Sequence, residues 1–246
     1  MADVQPLIMG EIGSIAHGLG VPESDHDYIA VYADPPEALI GLSAARGAFK
    51  VRDRAEGVKS EPGDTEIVYY GLRKFVSEIV KGNPTLHTLL FTPNLAHPDL
   101  IGLQAFAPKL LSRQIAVTHV GYANGMYDRL TGVRAPRTNR PELIAKHGYD
   151  TKAAFHAIRL LIQGHEMLTH QTMTMPMHDL ARDFLLSVRN GELSEARALE
   201  EIVYWRERIE EAGQTSKLPL RPDMDVVNEW LVNVHRRVWY FQGAQV

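Results

Sequence analysis

An α+β fold is the class this sequence predicts: a small mixed β-sheet core followed by an α-helical domain. Three observations predict it. Up to about residue 107 the chain holds short apolar runs, VQPLIMG, YIAVY, GAFKV and TEIVYYG, broken by Gly, Pro and Asp. Runs of this length rich in Val, Ile and Tyr are the mark of strands. From about Pro108 the apolar spacing changes to that of helices. With 246 residues, 45% hydrophobic and 23% charged, there is core enough for one large domain or two modest ones. The expected division is a first domain over 1–107 and a helical domain over 108–246, joined near 96–108.

The elements follow in chain order. Pro35 and Pro36 after Asp34 open a short helix through Leu42, since proline suits the first helical turn. Behind strand-like TEIVYYG, the stretch LRKFVSEIVKG places Leu72, Phe75, Val76, Ile79 and Val80 on one helical face, with Gly82 set to end it. Asn83 before Pro84 reads as a helix-ending loop. Five amphipathic segments follow, beginning near 108, 150, 177, 194 and 223. Asp150, Ser194 and Asp223 stand as starts, and Gly191 and Gly213 as stops. No internal repeat or low-complexity segment interrupts them.

The formal charge of −4, from 26 basic and 30 acidic side chains, excludes a general polycation, so any nucleic-acid contact must come from a local patch. The absence of cysteine excludes disulfides, thiolate zinc sites and a cysteine nucleophile. The opening residues MADVQPLIMGEIG lack a signal-peptide pattern, and no run approaches the ~18 apolar residues of a membrane span. A soluble, cytoplasmic protein with no membrane partner is the expectation.

Chemistry concentrates in GSIAHGLGVPESDHDYIAVY, residues 13–32. Asp25 and Asp27 lie two apart at the entrance of a strand, where extended side chains share a face. Two carboxylates so close repel one another unless one is protonated or a cation intervenes. Taken alone, they are either polar turn chemistry or two hard oxygen ligands suited to Mg²⁺ with water and phosphate completing its shell. Upstream, Gly13 and Ser14 bend the chain out of an apolar run, a place for backbone N–H groups and a hydroxyl to meet phosphate.

The whole string, Gly-Ser, nine residues, then Ser-Asp-x-Asp before an apolar strand, resembles the nucleotidyltransferases of the DNA polymerase beta superfamily. More narrowly it is similar to the branch of predicted nucleotidyltransferases associated with RNA repair operons and phages. That branch's GS-x-A-(Y/H)-G-L-x-x-P-x-SD-x-D is matched at every fixed position, and YYGLRKFVSEIVKGNP (69–84) and KHGYDTKAAFHAIRLL (146–161) look like the same branch.

The resemblance implies that Asp25 and Asp27 bind divalent ions, Mg²⁺ or Mn²⁺, bridging a triphosphate, and that Gly13 and Ser14 hold its phosphates. It implies a third carboxylate on a neighbouring strand. Glu66 occupies the matching place as catalytic and metal-binding residue, with Asp64 in reserve on the same face by period-two alternation. The reaction implied is transfer of a nucleoside monophosphate from an NTP to an acceptor hydroxyl, an RNA (tRNA-like) end first, with pyrophosphate released. The same chemistry on a small-molecule or protein hydroxyl, or an inactive binding module, are the alternatives the residues leave open.

Residues 108–160 contain nine cations, Lys109, Arg113, Arg129, Arg134, Arg137, Arg140, Lys146, Lys152 and Arg159, against the acids Asp128, Glu142 and Asp150. Such an excess is a footprint for phosphate or a solvated face. By resemblance, Lys146 and Lys152 contact phosphate and Tyr149 the base or ribose. His156 and Arg159 follow Lys152 at helical spacing, His156 reading as a buried histidine. The histidines of HEMLTH are five apart, so they diverge and make no zinc helix. Trp230, Trp239, Tyr240 and Phe241 form a stripe for a core or a dimer face.

Overall fold

A computed structural model of the chain describes residues 4–21, 24–42, 46–53, 63–133 and 140–243, and the chain divides into two compact units. The first comprises Met1–Val80, Thr85–Leu110 and Pro222–Val246; the second comprises Lys81–Pro84 and Leu111–Arg221. The division thus falls a few residues later than the sequence texture suggests, and the last helix groups with the first unit.

The first unit is built on a five-stranded mixed sheet of β1 (Ile8–Ile12), β2 (His26–Tyr32), β3 (Ala48–Arg52), β4 (Thr65–Gly71) and β5 (Leu95–His97), in the order β3-β4-β2-β1-β5. β2 and β4 run parallel, whereas the β1–β2, β3–β4 and β1–β5 pairs are antiparallel. α1 (Gly13–Ala16) and α2 (Pro36–Ile40) are short turns between strands. α3 (Leu72–Ile79) buries Leu72, Phe75, Val76 and Ile79, the face its spacing predicts. Its N-terminus is held by Asp34, whose Oδ2 accepts the Arg73 N–H at 3.0 Å.

Two helices stand where the sequence reads as loop or joint. α4 (Pro84–Phe91) begins at the very proline that looks like a stop, because proline lacks only an N–H that the first helical position does not use. Leu86, His87, Thr88, Leu89 and Leu90 are all buried, so it shows no amphipathic stripe. α5 (Leu103–Leu110) contains Pro108 in its last turn and is separate from α6 (Gln114–Leu130). α11 (Met224–Gly243) joins this unit through two tryptophans. Trp230 stacks on Phe106 with ring centroids 4.6 Å apart, and Trp239 Nε1–H donates to the Asp34 carbonyl at 2.9 Å. Tyr240 and Phe241 stay exposed, so the aromatic stripe is divided between packing and surface.

The second unit is a helical bundle of α6, α7 (Pro141–His147), α8 (Thr151–His170), α9 (Asp179–Arg189) and α10 (Glu195–Thr215). α8 is its axis, packing on each of the other four. Asp150 caps α8 by accepting the Ala153 N–H at 3.0 Å, as its position predicts. A Cβ on Gly164 would lie 2.5 Å from Ile209 and 2.9 Å from His119, so only glycine permits the approach of α6 and α10 there. Gly213, expected as a stop, lies inside α10, where an added Cβ would meet Ala116 at 2.7 Å. It is a packing glycine. Arg113 donates to the carbonyls of Gln214, Ser216 and Leu218, closing the end of α10. Among the described residues no helix is long and apolar enough to cross a membrane.

Candidate active site

The site forms where β1 ends. Ile12 pairs with Asp27 on β2, and Asp27 in turn pairs with Glu66 on β4, so the two carboxylates stand side by side on one sheet face. At Gly13 the chain turns with φ +72°, a conformation L side chains rarely adopt. A Cβ there would fall 2.6 Å from Asp27 Oδ2, so the Asp27 carboxylate lies directly against the glycine. Ser14 Oγ donates to Ser24 Oγ at 3.3 Å, and Ser24 Oγ also accepts the Val21 N–H at 2.9 Å. The bend is thereby tied to the loop that delivers Asp25. Asp25 stands two residues ahead of Asp27, just before β2, and both are partly exposed.

Asp64 leads into β4, and its carbonyl accepts the His26 N–H at 2.9 Å, which lays the starts of β2 and β4 together. Glu66, not Asp64, is the residue opposite Asp27. Lys50 and Arg52 of β3 take its two oxygens in ion pairs. Burial pushes the Glu66 carboxyl up, but the hydrogen bonds and charges of Lys50 and Arg52 outweigh it and leave the group below the ordinary glutamate value. Glu11 belongs to the other sheet face. It pairs with Tyr28, and its carboxylate bonds His26 Nδ1 at 3.0 Å and accepts from Asn94 Nδ2 at 3.3 Å. Among the described residues no three His, Cys, Asp or Glu side chains are placed to hold a metal ion by themselves.

The second unit carries the remaining candidates. Lys146, on α7, and Lys152, in the first turn of α8, are exposed. Tyr149 is 3% exposed and its hydroxyl donates to the Leu193 carbonyl at 3.0 Å. Of the basic segment, Arg113 is engaged by backbone carbonyls, and Arg134 and Arg137 lie outside the described residues. His156 is held down to about 3 by burial, and then by the charges of Arg159, Arg140 and Lys152. His165 and His170 both line a cavity of about 250 Å³ with His178 and Trp205. Sequence reasoning missed Lys50 and Arg52; their period-two spacing on GAFKV and β3 was the available signal.

With this geometry in hand, the family comparison decides the matter. Residues 2–233 match the model of a family described as RlaP, the RNA repair pathway DNA polymerase beta family. The chain belongs to the RlaP family. The match spans nearly the whole chain, including the segments 69–84 and 146–161 as well as the Gly-Ser and Asp-x-Asp motif. RlaP membership points to nucleotidyltransferase chemistry in RNA repair, with a nucleotide as substrate. Polymerase beta-type enzymes generally use divalent metals. No curated protein matches the chain.

Proposed function

We propose that this protein transfers a nucleoside monophosphate from an NTP to the hydroxyl of an RNA end, releasing pyrophosphate. The observation that carries this reading is the contact of Gly13 with Asp27 beside Glu66, a bend and two carboxylates gathered at one corner of the sheet. The family's link to RNA repair supports RNA as the acceptor.

The donor set fits a divalent cation shared with substrate. Asp25 and Asp27 offer hard oxygens, and the missing Cβ of Gly13 is what lets the Asp27 carboxylate sit against the bend. Asp25 and Asp27 would hold Mg²⁺ or Mn²⁺, with phosphate and water completing the shell. Bound there, such an ion supplies charge neutralisation at the entering and leaving oxygens. Glu66 is the proposed third carboxylate. Its ion pairs with Lys50 and Arg52 keep it deprotonated before the transfer, the form a proton acceptor needs.

In the transfer, the acceptor oxygen forms a bond to the α-phosphorus as the bond from that phosphorus to the bridging oxygen breaks. The hydroxyl proton passes to Glu66 and pyrophosphate leaves. Gly13 and Ser14 are proposed to hold the phosphates in line. Positioning of this kind accounts for most of the catalysis in phosphoryl transfer. The experiment is incubation with each NTP, Mg²⁺ and an RNA bearing a free 3′ hydroxyl. A mass increase of one nucleotide on the RNA supports the reading; pyrophosphate-free, unmodified RNA with every NTP contradicts it.

A further inference from the structure

Arg159 stands in an unusual setting. It lies on α8, the axis of the second unit, and keeps only part of its surface exposed. Its bonded partners are both uncharged. One NH₂ group donates to His156 Nδ1 at 3.0 Å, and the other lies 3.5 Å from Gln163 Oε1. Among the described residues no carboxylate pairs with it. Asp150, the acid of the same helix start, is engaged elsewhere: one oxygen caps Ala153 N–H and the other lies 3.5 Å from Arg140.

A half-buried guanidinium without an acid is costly unless an anion arrives from outside. Its surroundings reinforce the point. After burial, the charges of Arg159, Arg140 and Lys152 hold the His156 imidazole down. Burial lowers the Arg159 guanidinium to about 10, which leaves it charged at neutral pH. The neutral His156 is therefore an acceptor at Nδ1, and it fixes the guanidinium fork in one orientation.

We propose that Arg159, oriented by His156 and Gln163, is a preorganised receptor for a phosphate oxyanion. A fixed fork matches two phosphate oxygens at once, which lysine cannot do. The phosphate comes from the NTP or from the RNA backbone, an identity that rests on the nucleotidyltransferase reading, whereas anion binding itself does not. His156 is a positioning residue.

The test measures binding of inorganic triphosphate, an NTP and a single-stranded RNA to the full chain and to Arg159→Gln, Arg159→Lys, His156→Asn and His156→Leu, with folding checked by circular dichroism. Arg159→Gln is expected to weaken one ligand by about 10- to 100-fold, the scale of a lost charged hydrogen bond. Arg159→Lys is expected to recover only part of it. His156→Asn, which keeps an acceptor, should bind more tightly than His156→Leu. Weakening of triphosphate and NTP identifies the nucleotide; weakening of RNA alone identifies the backbone. Should Arg159→Gln not fold, Arg159→Lys decides, since full affinity there overturns the receptor. Unchanged affinity in folded variants, or a wild-type chain that binds none of the three, also overturns it. Arg159-dependent binding in a chain that never turns over NTP would uphold the receptor and remove the nucleotidyltransferase reading instead.

Discussion

Glu66 sits directly across from Asp27 on the adjacent parallel strand while Lys50 and Arg52 hold both of its oxygens from the other side. One strand pairing thus couples a catalytic candidate to a cationic clamp. Replacing Lys50 and Arg52 together by alanine removes what lowers the Glu66 carboxyl and leaves burial, which raises it. The acid limb of a pH–rate profile is expected to move to higher pH in Lys50→Ala/Arg52→Ala, and an unmoved limb would separate Glu66 from the rate.

The same shift has a stability consequence. A carboxyl lowered in the folded state contributes stability above its unfolded value, near 4.5, and loses it as pH falls through the folded value. Wild type and Glu66→Gln should therefore differ in Tm most above pH 4.5 and converge as pH falls below the lowered folded value. Thermal melts across that range check it.

Gly13→Ala strains a left-handed position and drives a methyl against Asp27 Oδ2. A loss of about 1–2 kcal/mol is expected from the backbone alone, more with the clash. In the Asp27→Ala background the contact with Oδ2 is removed and only the residue 27 Cβ, at 3.2 Å, remains, so most of the clash part should be relieved. Urea titrations of the double-mutant cycle measure that coupling, and strict additivity would argue against contact.

Tyr149→Phe distinguishes packing from recognition. Loss of the bond to the Leu193 carbonyl is expected to cost about 0.5–1.5 kcal/mol of stability with NTP affinity unchanged. A weaker NTP with unaltered stability would return Tyr149 to the substrate.

Much of this organisation was legible in the sequence where local rules decide it. The strand over 28–32, the buried face Leu72–Phe75–Val76–Ile79 and the Asp150 cap each depend on neighbours in the chain. Pro84 misleads because a proline that ends one helix equally begins another, and α4 buries five consecutive residues, Leu86 to Leu90, and so lacks a periodic stripe. Gly213 reads as a stop since sequence cannot reveal that Ala116 needs the space. The return of α11 to the first unit depends on Phe106 and Asp34, more than 100 residues away. Of the candidate site, the acidic pair and its bend were legible as a motif, whereas the clamp on Glu66 arises from strand pairing across β3 and β4.

The central claim is that Asp25 and Asp27, against the Gly13 bend, carry nucleotidyl transfer. The most direct measurement is pyrophosphate release from an NTP with Mg²⁺ and RNA by wild type, Asp25→Ala and Asp27→Ala, each verified as folded. Release by wild type and a fall of at least about 10³-fold in both variants is the predicted result. Turnover unchanged in either folded variant would contradict the account.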